Sequence, residues 1–119
     1  MRQRKSTFER DQKIEGILHA VERELGKIFK DKLKKLILFG SYSRGDYDDE
    51  SDIDVMVLVD DPDPYKYDDA LLDVEVDLSL EFEVVLSIFV ENESEYEDAK
   101  GYKPFLKAIE KEGIEIYAA

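Results

Sequence analysis

The sequence predicts an α/β (α+β) fold in which a small mixed β-sheet is flanked by helices, and three observations predict it. Apolar residues recur at helical spacing from Ile14 to Phe29, two short apolar runs at 36–39 and 55–59 bracket a turn-rich segment, and a third run at 84–90 follows after a gap long enough for a crossover. Ile14, Ile17, Leu18, Val21, Leu25, Ile28 and Phe29 lie three and four apart, which makes one face of a helix over about residues 7–29. Ser6, three residues before Glu9, matches a capping box for its start. His19 lies beside the apolar stripe and reads as structural.

Residues 31–35 form a charged turn before the first strand at 36–39, and the second strand occupies 55–59. The prolines and aspartates of 60–64 mark a loop. Residues 67–81 fit two templates: Val74, Val76, Leu78, Leu80 and Phe82 alternate as in a strand, whereas Ala70, Leu71, Val74 and Leu78 are spaced as on a helix. A crossover between parallel strands needs a dozen or more residues and is usually helical. A buried strand at 84–90, a short helix or turn at 93–100, a helix at 104–112 and a short strand at 114–117 complete the chain. Pro104 suits the first turn of that last helix and Gly113 its end.

At 119 residues the chain fits one domain, 1–119, with room for one core. Its 17 Lys and Arg against 30 Asp and Glu give a net charge of −13, which repels a nucleic-acid backbone and disfavours template-directed polymerisation or RNA tailing. The same charge suits a basic protein partner or a well-solvated surface. With no cysteine there is neither a disulfide framework nor a thiolate metal site, which is compatible with a cytoplasmic location. No run has the length of a membrane span, and the basic start, Met1 to Lys5, leads into charged amphipathic sequence rather than an apolar signal core.

The chemistry concentrates in residues 40–54. Gly40 lets the backbone approach a ligand or adopt positive φ, and Ser41 offers an amide and a hydroxyl to a phosphate oxygen. Asp52 and Asp54, two apart at the start of a strand, point to one face. Two carboxylates so placed repel and raise their own pKa values unless a cation sits between them. Hard oxygen ligands of this kind suit Mg²⁺ shared with substrate phosphates. Arg44 can reach phosphate or pair with Asp46 or Asp48, while Asp46, Asp48, Asp49 and Glu50 read as solvated loop charge and Tyr42 and Tyr47 as spacers.

The spacing G-S-x(10)-D-x-D, within the words GSYSRG at 40–45 and SDIDVMV at 51–57, resembles the signature of polymerase-beta-type nucleotidyltransferases and of their minimal (MNT) branch. The resemblance implies a polymerase-beta-like nucleotidyltransferase fold, and because that family has a helix between the second and third strands, it selects a helix for 67–81. It also implies two Mg²⁺ ions held by Asp52, Asp54 and a third acid from the neighbouring strand, with ATP as substrate. Glu83 is the acid nearest the expected place and Glu81 the fallback. Gly40, Ser41 and Arg44 would bind nucleotide.

Proteins of this minimal size resemble the antitoxin half of toxin–antitoxin pairs whose partner is a HEPN-domain ribonuclease. That implies transfer of AMP to a tyrosine hydroxyl of the toxin. Two other readings stand beside it: an acidic antitoxin that neutralises by contact alone, and a small-molecule, antibiotic-type nucleotidyltransferase, which would need a homodimer to supply an acceptor site.

Overall fold

The computed structural model of the chain describes residues 2–3, 12–45 and 52–119. Helix α1 (Gln12–Phe29) presents Ile14, Ile17, Leu18, Val21, Leu25 and Phe29 to the core, the stripe that its sequence spacing predicts. The proposed capping box, Ser6 to Glu9, lies outside the described residues. A 3₁₀ turn at Lys30–Lys32 leads into β2 (Leu33–Phe39). A one-turn helix α2 (Ser41–Arg44) precedes β3 (Ile53–Val59), and a 3₁₀ turn at Pro64–Tyr67 precedes α3 (Asp68–Phe82). Then come β4 (Leu86–Asn92), α4 (Glu93–Ala99), α5 (Pro104–Glu112) and β5 (Ile114–Ala118), while the two-residue β1 is Arg2–Gln3.

The sheet is mixed, as expected, in the order β1-β5-β2-β3-β4. The β2–β3 and β2–β5 pairs are antiparallel, and β3–β4 and β1–β5 are parallel. Helix α3 is the crossover of the parallel pair, so the helical reading of 67–81 holds. Alternate residues of the central strands feed two cores. Leu36, Leu38, Val55, Val57 and Ile88 pack under α1 and α3. Ile37, Phe39, Met56 and Leu58 pack against Tyr96 of α4 and Leu106 and Ile109 of α5. A strand covered on both faces reads as a continuous apolar run, which is why β3 is so plain in the sequence.

Strand starts differ from expectation. Strand β2 starts at Leu33, inside the expected charged turn, because Lys34 and Lys35 pair with the chain's end: Ala119 N–H donates to the Lys34 carbonyl at 2.9 Å, and Lys35 is opposite Ala118. Strand β4 begins at Leu86 rather than residue 84, since α3 runs on to Phe82 and Glu83 closes it in the left-handed conformation, φ 56° and ψ 50°. Gly113 follows α5 with φ −68° and ψ 153°, an extended conformation open to any residue. Glycine is needed there for closeness, because a Cβ would lie 2.5 Å from the Ile109 carbonyl oxygen and 2.6 Å from Ile37 Cγ2. Gly113→Ala is therefore expected to overpack the β5–α5 corner and cost about 1–3 kcal/mol, read as a lower urea midpoint at unchanged slope.

Strand β4 is a sheet edge, and α3 covers its outward amides. Leu86 N–H donates to Ser79 Oγ at 3.0 Å and Ile88 N–H to Glu75 Oε1 at 2.6 Å. Opposite the motif end of the sheet, buried Asp61 ties the β3–α3 loop together. Its carboxylate accepts from Asp63 N–H (2.9 Å) and Tyr67 O–H (2.8 Å) and pairs with Lys32 and Lys66 (3.2 and 3.0 Å). These bonds to the charged form, the Asp63 amide first, hold its pKa well below the usual carboxylate range. Among the described residues no helix is long and apolar enough to cross a membrane.

Candidate functional site

The antiparallel β2–β3 pair brings the two halves of the 40–54 motif together, since Phe39 at the end of β2 lies opposite Asp54 in β3. Gly40 then turns the chain with φ 80° and ψ −155°, a region that only glycine occupies without strain. A Cβ on Gly40 would meet Asp54 Oδ2 at 2.7 Å. The turn's backbone thus lies directly against the carboxylate, and the missing side chain is what permits it.

The turn is pinned from inside. The N–H groups of Ser43 and Arg44 donate to the Gly40 carbonyl at 3.1 and 3.2 Å, and buried Ser43 adds its hydroxyl at 2.8 Å. Gly45 closes the turn with φ 81°, its N–H donating to the Ser41 carbonyl at 3.0 Å. Ser41 is left half-exposed at the mouth of the turn, beside the Gly40 backbone.

Asp54 is half-buried on the face of β3 that bears Met56 and Leu58, whereas Asp52, just before the strand, is exposed. Burial raises the Asp54 pKa above the usual carboxylate range, and the nearby Asp52 charge raises it further. A half-buried acid repelled by a second acid is the electrostatic complement of a divalent cation. The chemistry of the pair fits a hard cation shared with phosphate oxygens.

Not every expected residue joins them. Glu83 stands in the turn after α3, exposed, three residues before β4, and Glu81 is exposed on α3. The β4 residue in register with Asp54 is Ser87. Among the described residues no group of three or more acidic, His or Cys side chains is arranged to hold a metal ion, so neither Glu83 nor Glu81 completes the pair as placed. Arg44 Nη1 donates to Glu112 Oε2 of α5 at 3.2 Å. Its expected partners Asp46 and Asp48, with Asp49, Glu50 and Tyr47, lie outside the described residues. His19 is exposed on α1, 3.5 Å from Glu15.

Sequence reasoning missed Ser43, Glu112 and an aromatic floor next to the pair. Phe39 and Phe89 each meet Phe105 edge to face and are tilted to one another, with ring centroids 5.5 to 5.8 Å apart. Phe89 follows Ser87 by two on β4, and that alternation was a readable signal for one side of the strand.

Similarity to known proteins extends over most of the chain. Residues 18–116 match the family described as "Nucleotidyltransferase domain". The Methanocaldococcus jannaschii protein named "Putative protein adenylyltransferase MJ0141" is 32% identical over 100 residues, covering 84% of this chain and 95% of that protein. A solved toxin–antitoxin structure with AMP-PNP superposes with a TM-score of 0.61 at 18% identity, over 86% of this chain and 73% of its own. A mutant of the toxin–antitoxin MntA-HpeT gives 0.54 at 22% identity, over 82% and 72%. At such identities the two structures speak to the fold alone, and the fold is the one found here.

Proposed function

The chain belongs to the nucleotidyltransferase-domain family, and from that premise we propose that it is an antitoxin that transfers AMP from ATP to a tyrosine hydroxyl of a partner HEPN-type toxin. The observation that carries the transfer reading is the contact between the side-chain-free Gly40 turn and the Asp54 carboxylate, with Asp52 beside it. The protein acceptor is supported by the name of the full-length relative and by the toxin–antitoxin setting of the two similar folds.

In this reading Gly40 and Ser41 hold the β- and γ-phosphates, and Arg44, exposed at the same turn, steadies them from the α5 side. Asp52 and Asp54 hold Mg²⁺, which when bound neutralises phosphate charge and lowers the pKa of the acceptor hydroxyl. The tyrosine oxygen forms a bond to the α-phosphorus as the bond to the β-phosphate oxygen breaks, pyrophosphate leaves, and the phenolic proton passes to solvent or a carboxylate. Ser87 and the aromatic floor line the β4 side of Asp54, where the acceptor would enter.

The test is to incubate the chain with ATP labelled at the α-phosphate, Mg²⁺ and the protein encoded by the neighbouring gene. Label is expected on a tyrosine of that protein. Glu83→Gln should transfer normally, because its carboxylate is not with the pair. Absence of label with both proteins folded would overturn the reading. A net charge of −13 and the two-carboxylate site favour one second reading, neutralisation by contact alone; in that case Asp52→Ala with Asp54→Ala neutralises the partner as well as the native chain does.

A further inference from the structure

The outer face of α3 carries two parallel rows at four-residue spacing. Leu72, Val76 and Leu80 form an apolar row, 55%, 48% and 75% exposed, and Asp69, Asp73, Asp77 and Glu81 form an acidic row beside it, all exposed. The core-facing side of the same helix is already complete with Leu71, Val74 and Leu78. The outer apolar row therefore stands outside the core, and side chains so aligned are not the singly scattered apolar residues normal on a surface.

The acidic row is locally unfavourable as well. Like charges four apart on a helix repel. Asp77 and Glu81 also stand toward the helix C-terminus, where the backbone dipole is negative and the last turn has no basic residue. A local rule broken without compensation inside the chain points to compensation from outside it.

The row also leads to the site. Beyond α3, Val85 is 57% exposed, and its carbonyl accepts from Ile53 N–H, the residue between Asp52 and Asp54, at 2.9 Å. At the other end a shallow groove of about 300 Å³ between α3 and β4 continues the face, lined by Asp68, Asp69, Leu72, Glu75 and Ile88 among others.

Charge selects the occupant. A second copy or a nucleic acid would set like charge against a chain of net −13. An added strand finds the β4 edge amides of Leu86 and Ile88 already bonded to α3 side chains. What remains is a helix laid along α3, apolar on one side and flanked by Lys or Arg. We propose that this face docks the acceptor protein through such a basic amphipathic helix and so delivers its hydroxyl to the Asp52–Asp54 end; this rests on the protein-acceptor reading above.

The test titrates the neighbouring-gene protein onto native chain, Val76→Ser/Leu80→Ser, Asp73→Lys/Asp77→Lys and Asp54→Asn by calorimetry, with melting curves and fluorescent-ATP binding in parallel. Both surface variants are expected to fold and bind ATP as the native chain does, yet to lose about tenfold or more in affinity for the partner, in step with its labelling. Added salt should weaken the native complex more than that of the Lys variant. Asp54→Asn should bind the partner normally and label nothing. If folded surface variants bind no more weakly than the native chain, or if the native chain does not bind the protein at all, the docking face is overturned. Native binding without labelling sinks the transfer reading and leaves the docking face standing.

Discussion

Asp54→Asn is expected to abolish nucleotide transfer and at the same time to make the unliganded protein more stable. The first effect follows from losing the charge that, in the proposed site, would face both metal and triphosphate, worth about 3 kcal/mol or more of transition-state stabilisation, or over a hundredfold in rate. The second follows from the pKa. Burial, and after it the Asp52 charge, raise the folded pKa of Asp54 above its unfolded value, so ionisation disfavours the folded state. The cost is fully present above the folded pKa and vanishes as pH falls below the unfolded one, near 3.9. The native chain should therefore melt below the Asn variant at neutral pH and converge with it in acid. Because the side chain is half-exposed and screened by water, the gap should be no more than about 1 kcal/mol. Mg²⁺ with a non-hydrolysable ATP analogue should raise the melting temperature of the native chain and not that of the variant. A variant that still transfers, or that melts below the native chain at neutral pH, would contradict the assignment of Asp54 as the strained ligand.

The motif was legible in the sequence because its constraints are local. The Gly-Ser turn and the Asp-x-Asp belong to one antiparallel pair of strands joined in sequence, and their pairing sets Phe39 opposite Asp54. What the sequence could not give depends on register and on contacts distant in the chain. The structure does not place the expected third acid with the pair, and one residue accounts for the difference: Glu83 ends α3 in the left-handed conformation, where Gly or Asn is usual, so nothing marked the helix end and strand β4 was placed two residues early. With the true start at Leu86, parallel pairing sets Ser87 rather than an acid across from Asp54. The Arg44–Glu112 pair joins residues 68 apart in the chain and had no local signal. Gly113 was identified as special for the wrong reason, since its crowding against Ile37 belongs to the packed corner and not to the helix cap. Conversely, the alternation that made 67–81 ambiguous now has a cause: Val76 and Leu80 are apolar but face outward, which blurred the helical stripe.

Gly40→Ala tests the other half of the site, and its effect is expected to be large on both stability and activity. At φ 80° and ψ −155° an alanine is strained by about 1–3 kcal/mol. Its Cβ would also lie 2.7 Å from Asp54 Oδ2, closer than real Cβ contacts come, so either the turn or the carboxylate must move. A displacement of about 1 Å at a reacting centre can cost roughly a hundredfold in rate, and the same displacement should weaken ATP binding. Gly45→Ala is the internal control: its φ is 81°, yet no atom lies within 4 Å of the added Cβ, so it should lose stability through backbone strain while keeping activity. The close approach and the strain are then separable by a double-mutant cycle. In an Asp54→Ala background the Gly40→Ala change no longer meets a carboxylate, and its stability cost should shrink to the strain of its own backbone at φ 80° and ψ −155°. If the cost of Gly40→Ala is the same with and without Asp54, glycine is present at position 40 for its backbone conformation alone, and the turn does not rest on the metal-binding carboxylate.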